Sequence, residues 1–448
     1  MTKKIFEIIT LGCKVNQSES ALLSARLSET GYCEKIFVDG ETAPQACRED
    51  TALCVINTCT VTEKASMQSR QAIRRAIRNH PGARIVVTGC YAQTQPDEIR
   101  KIKGVHDIIG NSEKHCISER LLLDAEPACE RSVSDTPPWY ESMTGLSNIP
   151  SFAQRTRAFL KIQDGCDAHC TYCIVPQARG NSRSMPPHQV FSSLFQLENA
   201  GHSEIVLSGI HLGVYGKDLS PAKSLIELLT GIEHSAIAAR IRLSSIEPRE
   251  LTDEIITLSC RSNKFCHHFH IPLQSGDNDI LKKMGRPYTS SFFQDRVLSI
   301  HKHLPDAAIG VDTLIGFPGE TDSAFNNTYE LLNSLPITYL HVFPFSPRKN
   351  TPAARFKDRP SADIVKSRCQ QMRTLNTAKK RRFYQHFIGK TVKVLIEGKR
   401  DPKTGYLKGT TSNYLPVFLV GDENLKNTLV PVVLEKSLGD RGVFGNSL

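Results

Sequence analysis

From Ala158 onward the chain alternates short β-rich runs with amphipathic helical patterns, and this alternation restricts its architecture more than any other feature. Strands are predicted at 158–162, 204–208, 240–243, 268–272, 308–315 and 339–344. Helical patterns fall between them, among them 189–200, 252–259, 277–284, 290–302 and 320–333, and a long one from 362 to about 385 follows. Strands separated by helices pair in parallel, because each crossover returns the chain to the sheet in the same direction. Six such units predict an open, barrel-like parallel sheet, short of the eight of a closed (β/α)8 barrel. Folds of this kind gather their chemistry at the carboxyl ends of the strands.

The flanking regions follow other rules. Residues 5–122 also alternate, with strands expected at 5–10, 53–57, 84–88 and 105–109 and helices near 17–30, 62–79, 94–103 and 113–122. They predict a second α/β domain with a parallel sheet and helices on both faces. Pro127, Pro137, Pro138 and Pro150 interrupt the polar stretch that follows, so 123–150 reads as a connector, with Trp139 and Tyr140 available to pin it. After Lys379-Lys380-Arg381-Arg382 the pattern changes to short β-rich pieces at 391–397, 406–410, 416–420 and 429–433, which suggests a small antiparallel barrel. The chain is thus expected to be α/β in class, with domains at 1–122, 151–386 and 387–448 around the 123–150 linker.

Fourteen cysteines stand out in a chain with no apolar run long enough to cross a bilayer and no signal-peptide pattern at its start. It reads as cytoplasmic with no membrane association, and thiols kept reduced there point to metal or redox chemistry, not to a disulfide framework. Cys33, Cys47, Cys54, Cys116, Cys129, Cys260, Cys266 and Cys369 share no spacing and are taken as inert. Cys166, Cys170 and Cys173 form a C-x-x-x-C-x-x-C loop directly after the first strand of the six-unit sheet. Three thiolates hold three irons of a [4Fe-4S] cube and leave the fourth open to a small molecule. Structural zinc is the alternative, although it prefers four protein ligands and only His169 lies within the loop. Cys13, Cys59 and Cys90 each follow a predicted strand of the N-terminal sheet, so their thiols are expected to converge as a second three-cysteine site.

Charge is less decisive. A net charge of +10 suits a polyanionic partner but also an ordinary basic enzyme. Arg70, Arg74 and Arg78 recur at steps of four, with Arg75 beside them, while Ile73, Ala76 and Ile77 supply an apolar stripe. Such a row is usually a solvated face, and it suits a phosphate backbone if other features point to RNA.

With Tyr172 before its last cysteine, the Cys166–Cys173 loop resembles the signature of the radical S-adenosylmethionine (SAM) enzymes. Further segments are similar to one branch of them, the methylthiotransferases: Glu204 to His211, Arg242 to Pro248, His270 to Gly276, Asp312 to Thr321 and Phe343 to Thr351. The resemblance covers nearly the whole chain, and the C-terminal pieces look like a TRAM domain, whose Lys390, Lys393, Lys399, Arg400, Lys403 and Lys408 would meet phosphates.

It implies two [4Fe-4S] clusters and SAM as cofactors. Cys166, Cys170 and Cys173 would hold the radical-generating cluster, and Cys13, Cys59 and Cys90 the one that carries sulfur. Tyr172, Ser208, Gly209, Ser244, Glu247 and Gln274 are the candidate cofactor contacts, while no residue is assigned as catalytic acid or base. A Gly-Gly-Glu run common in radical SAM enzymes is missing here, where Glu204 instead begins its strand and Ser208-Gly209 end it.

The implied reaction is methylthiolation at carbon 2 of a modified adenosine next to the anticodon of tRNA. Gly12-Cys13-Lys14-Val15-Asn16-Gln17 looks like the type acting on N6-threonylcarbamoyladenosine. Alternatives are isopentenyladenosine, a ribosomal-protein aspartate, or a noncatalytic zinc-binding RNA protein. The implied partners are tRNA and an electron donor such as flavodoxin or ferredoxin, with the enzyme acting as a monomer.

Overall fold

The computed structural model describes residues 4–35, 51–123 and 156–448. The predicted connector at 123–150, with Trp139 and Tyr140, lies outside the described residues except for Leu123. The chain divides into two compact units, and the first takes the N-terminal sheet together with Gly165–Asp167 and Cys173–Asn181.

In the first unit, strands β1 (Ile5–Thr10), β2 (Cys33–Glu34), β3 (Thr51–Thr58), β4 (Arg84–Gly89) and β5 (Asp107–Ile109) form one parallel sheet in the order β2-β1-β3-β4-β5. Apolar clusters cover it, one around Ile56, Ile73, Ile85 and Tyr91 and the other around Phe6, Leu27, Val55 and Val86. This explains why β3 is buried almost without a break. The helix predicted at 94–103 is two short ones, Cys90–Thr94 and Pro96–Arg100, because Pro96 has no N–H to continue the first. The helix Glu63–Asn79 starts where the Thr62 side chain accepts from Ala65 N–H, and it buries Ile73 and Ala76. Its arginine row is split: Arg70 pairs with Glu63, Glu98 and the Tyr91 hydroxyl, leaving Arg74, Arg75 and Arg78 exposed.

The second unit holds β6 (Ala158–Lys161), β9 (Glu204–Ser208), β10 (Arg240–Leu243), β11 (His268–Gln274), β12 (Ala308–Ile315) and β13 (Tyr339–Pro344), plus a short hairpin of β7 (Gln163–Asp164) and β8 (Arg183–Ser184). The six long strands pair in parallel as β10-β9-β6 and β11-β12-β13, and single bridges at Ile241–Phe265 and Ser245–His270 join the halves into one arc. The helix Leu225–His234, opened by a Ser224–Glu227 capping box, completes the crossover between β9 and β10.

Five further strands, β14 (Thr391–Ile396), β15 (Leu407–Thr411), β16 (Pro416–Leu419), β17 (Leu429–Ser437) and β18 (Val443–Ser447), close into a barrel in the order β14-β15-β16-β18-β17. Its core is Val394, Ile396, Leu407, Val417, Leu419, Val432 and Leu434, with Tyr384 and Phe387 from the end of the long helix. The sequence reading identified four of these strands. β18 is the fifth, and it shuts the barrel by a parallel pairing with β16, the one departure from antiparallel order. Closure removes the edges that a four-stranded sheet would leave open.

A buried charge cluster ties this barrel to the arc. Glu204, at the start of β9, accepts from both Arg240 and Arg242. The two guanidinium groups also donate to the barrel carbonyls of Thr410, Thr411 and Ser412. The Tyr414 ring packs over Arg242, 5.0 Å from centroid to guanidinium carbon, and stacks on His268.

Candidate cluster and cofactor sites

Cys13 follows β1, Cys59 follows β3 and Cys90 follows β4, so the parallel sheet delivers all three to one end. Backbone packing brings them close. Gly12 has φ +98°, and a Cβ there would lie 2.8 Å from Cys59 Cβ and 3.0 Å from its Sγ. Gly89 has φ +97°, and its Cβ would fall 2.4 Å from the Thr58 carbonyl oxygen. Each glycine therefore permits the approach of the cysteine after it. Ser69 Oγ donates to the Cys59 carbonyl and accepts from its N–H, which fixes that residue's backbone.

Burial pushes the Cys59 thiol up to about 11; a bond from Val61 N–H opposes this, while the charges of Cys90 and Cys13 add to it. The Cys13 and Cys59 thiols, which burial keeps from ionising as bare groups, become stable thiolates when they share a cation with Cys90, the donor set an iron–sulfur cluster requires. The residues fit that group.

Cys166, Cys170 and Cys173 lie on the loop between β7 and β8. Cys166 N–H donates to Gly180 O at 3.0 Å. Around Cys170, Thr171 N–H donates to Met284 O and its hydroxyl to Lys283 O, while its own carbonyl accepts from Ala353 N–H. The Tyr172 ring meets Phe317 edge-on at 6.3 Å, in an apolar cluster with Ile280, Met284 and Leu314. That ring holds the loop in place.

A residue the sequence reading passed over stands beside this loop. Arg286 Nη1 lies 3.3 Å from Cys170 Sγ, its Nε donates to Tyr288 Oη at 2.9 Å, and its Nη2 pairs with the Glu247 carboxylate. Burial raises the Glu247 pKa and the Arg286 charge opposes it. Glu247 thus holds the cation that faces Cys170.

The other candidates sit at strand ends. Ser208 Oγ, on β9, donates to Leu160 O at 3.2 Å. A Cβ on Gly209 would come within 2.9 Å of Gln163 Oε1, which accepts from His211 N–H. Ser244 Oγ is buried and has no hydrogen-bond partner among the described residues. Gln274 holds a left-handed backbone, φ 70°, at the end of β11. Below these strand ends, His270 Nε2 and His341 Nδ1 both contact Asp312 Oδ1, at 2.9 and 3.1 Å.

Residues 5–110 match the family described as "Uncharacterized protein family UPF0004", and residues 160–332 match the "Radical SAM superfamily". The chain is 39% identical over 445 residues to the threonylcarbamoyladenosine tRNA methylthiotransferase MtaB of Bacillus subtilis, covering 96% of this chain and 93% of that protein. The chain belongs to the radical SAM methylthiotransferase family.

Members of this family are transferases that use SAM and carry two [4Fe-4S] clusters. The MtaB protein of Thermotoga maritima is 35% identical to this methylthiotransferase over 98% of this chain and 96% of its own. A Pelotomaculum thermopropionicum protein named tRNA-2-methylthio-N(6)-dimethylallyladenosine synthase is 31% identical, over 96% and 95%. Among solved structures, the radical SAM methyltransferase TsrM of Kitasatospora setae shares the fold, with a TM-score of 0.58 at 16% identity over 78% of this chain and 77% of that one. No helix among the described residues of this methylthiotransferase is long and apolar enough to cross a membrane.

Proposed function

We propose that this methylthiotransferase adds a methylthio group to carbon 2 of N6-threonylcarbamoyladenosine, adjacent to the anticodon of a tRNA. The observation that carries the substrate is the similarity, over nearly all of both chains, to two proteins named for that nucleoside at 39% and 35% identity. When bound, the clusters and SAM supply one-electron chemistry at an aromatic C–H bond that no side-chain acid or base can break.

In this reading Cys13, Cys59 and Cys90 ligate one cluster and Cys166, Cys170 and Cys173 the other, each triplet leaving one iron open. Arg286 donates toward Cys170 Sγ, and Ser244, with its unpartnered hydroxyl, takes a hydrogen bond from or gives one to the cofactor. Ser208, Gly209 and Gln274 border the same strand ends. Exposed Arg74, Arg75 and Arg78, with Lys393 and Lys403 on the barrel, offer charge to the tRNA backbone. A flavodoxin or ferredoxin would supply the electrons.

Mass spectrometry of tRNA nucleosides tests reaction and substrate together. A strain lacking the gene should lose the 2-methylthio derivative of threonylcarbamoyladenosine and regain it with the wild-type gene. Loss of the isopentenyladenosine derivative instead would move the assignment to that nucleoside, and no change in either refutes it. In vitro, Cys166→Ala should abolish 5′-deoxyadenosine formation, whereas Cys90→Ala should lose thiomethylated product and retain SAM cleavage.

A further inference from the structure

Three neighbouring strands of the second unit each carry one metal-type donor on the same face. His270 is on β11, Asp312 on β12 and His341 on β13, which pair in parallel in that order. Asp312 lies directly opposite His341 in the register, and His270 is opposite Gly310, one same-face step before Asp312. The alternate positions Phe269, Ile271, Val311 and Leu340 form the buried apolar face, so the donors project from the other one. Asp312 Oδ1 is 2.9 Å from His270 Nε2 and 3.1 Å from His341 Nδ1, and the three donor atoms all lie within 4.8 Å of one another. Bonds of about 2.0–2.2 Å from nitrogen and oxygen to zinc put adjacent ligands about 3–3.5 Å apart. Two of the three pairs therefore already stand close to the spacing that a shared ion imposes.

The deepest of these side chains is held from behind. His270 Nδ1 is 3.1 Å from Tyr339 Oη, which is in turn 2.8 Å from His268 Nε2. The Tyr339 ring reaches both histidines by crossing β12 at Gly310, where an added Cβ would lie 2.1 Å from its Cζ. An outer hydrogen bond of this kind fixes the orientation of an imidazole, and histidine ligands of metals are oriented in the same way. Side-chain exposure rises from 11% at His270 through 20% at Asp312 to 52% at His341, so the group opens to solvent on the His341 side. Two imidazoles and a carboxylate, without a thiolate, suit a divalent first-row metal. Three protein ligands leave positions for water or another oxygen donor, whereas a structural zinc site closes with four.

We propose that His270, Asp312 and His341 bind one divalent metal ion of the zinc or iron(II) class, using none of the six cysteines assigned to clusters. The ion keeps its remaining positions toward solvent, where an oxygen donor completes its shell. Tyr339 is a positioning residue that acts through His270.

The test uses the full chain with its clusters reconstituted anaerobically, freed of loosely held metal on a chelating resin, incubated with zinc chloride and desalted. Elemental analysis should find one zinc per chain in excess of that in His341→Ala and in Asp312→Ala. Zinc K-edge X-ray absorption should show nitrogen and oxygen neighbours at about 2.0–2.2 Å. Tyr339→Phe should keep the ion but bind it about tenfold more weakly in competition with a chromophoric chelator. Equal zinc in the wild type and both ligand variants overturns the proposal, as does a zinc whose neighbours are sulfur at about 2.3 Å. Unchanged affinity in Tyr339→Phe overturns the part given to Tyr339. Should the clusters fail to form, zinc on their thiols adds equally to wild type and variants, so the difference still decides. If Asp312→Ala does not fold, His341→Ala, changed at the half-exposed ligand, decides alone.

Discussion

Replacing Glu204 by Gln should weaken the second unit by an amount that can be worked out from its surroundings. Burial alone would raise the pKa of this carboxyl, but the charge and hydrogen bonds of Arg242, with the charges of Arg240 and Arg157, more than offset that and lower it from 4.5 to about 2. At neutral pH, protonating Glu204 in the folded chain therefore costs about 3 kcal/mol more than in the unfolded chain. Gln mimics the protonated acid in size and charge, so Glu204→Gln should lose about 3 kcal/mol, consistent with the ~3–5 kcal/mol of breaking a buried ion pair on one side.

The pH dependence fixes the sign. A depressed carboxyl stabilises fully above its ordinary value of 4.5, and that stabilisation drains away as pH falls toward about 2. Urea unfolding of wild type and variant should show the gap at pH 7 and a shrinking gap below pH 4.5. Because Arg240 and Arg242 also hold the carbonyls of Thr410, Thr411 and Ser412, limited proteolysis should cut the variant faster around the barrel junction. A loss below about 1 kcal/mol at pH 7, or a gap independent of pH, would refute this account.

Other changes test the site more directly. Gly89→Ala places a Cβ against the Thr58 carbonyl at a positive φ, so iron per reconstituted chain should fall by about half, as one of two clusters fails to assemble. Arg286→Gln removes the cation 3.3 Å from Cys170 Sγ; the potential of the cluster on that loop should drop and reductive SAM cleavage should slow, whereas unchanged values would confine Arg286 to its contact with Glu247. Gly310→Ala would put a Cβ 2.1 Å from the Tyr339 ring and should cost roughly 1–3 kcal/mol in thermal or denaturant unfolding.

Much of this architecture was legible because hydrophobic periodicity is local. The strands at 5–10, 204–208, 240–243, 308–315 and 339–344 coincide with β1, β9, β10, β12 and β13, since each is a short β-rich segment followed by a helical pattern of its own. The strand-end cysteines could be read for the same reason: strand–helix alternation determines which end of a parallel sheet a residue occupies. Gly12-Cys13 and Gly89-Cys90 even carry a local sign of the crowding, a glycine placed where no side chain fits.

Long-range charge pairing leaves no such trace. Arg179 meets Glu19 across 160 positions, and Arg242 meets the Thr411 carbonyl across 169. Nothing periodic marks these partners, because a buried ion pair depends on which surfaces the fold presses together and on the absence of water between them. Tertiary structure likewise turned Arg70 away from its row, set Arg286 against Cys170, and closed the barrel with β18. The sequence by itself determined the order of elements and the ends of the sheets that carry thiols. Only the tertiary structure decided which charges surround them, because that depends on desolvation and distance between parts of the chain remote in sequence.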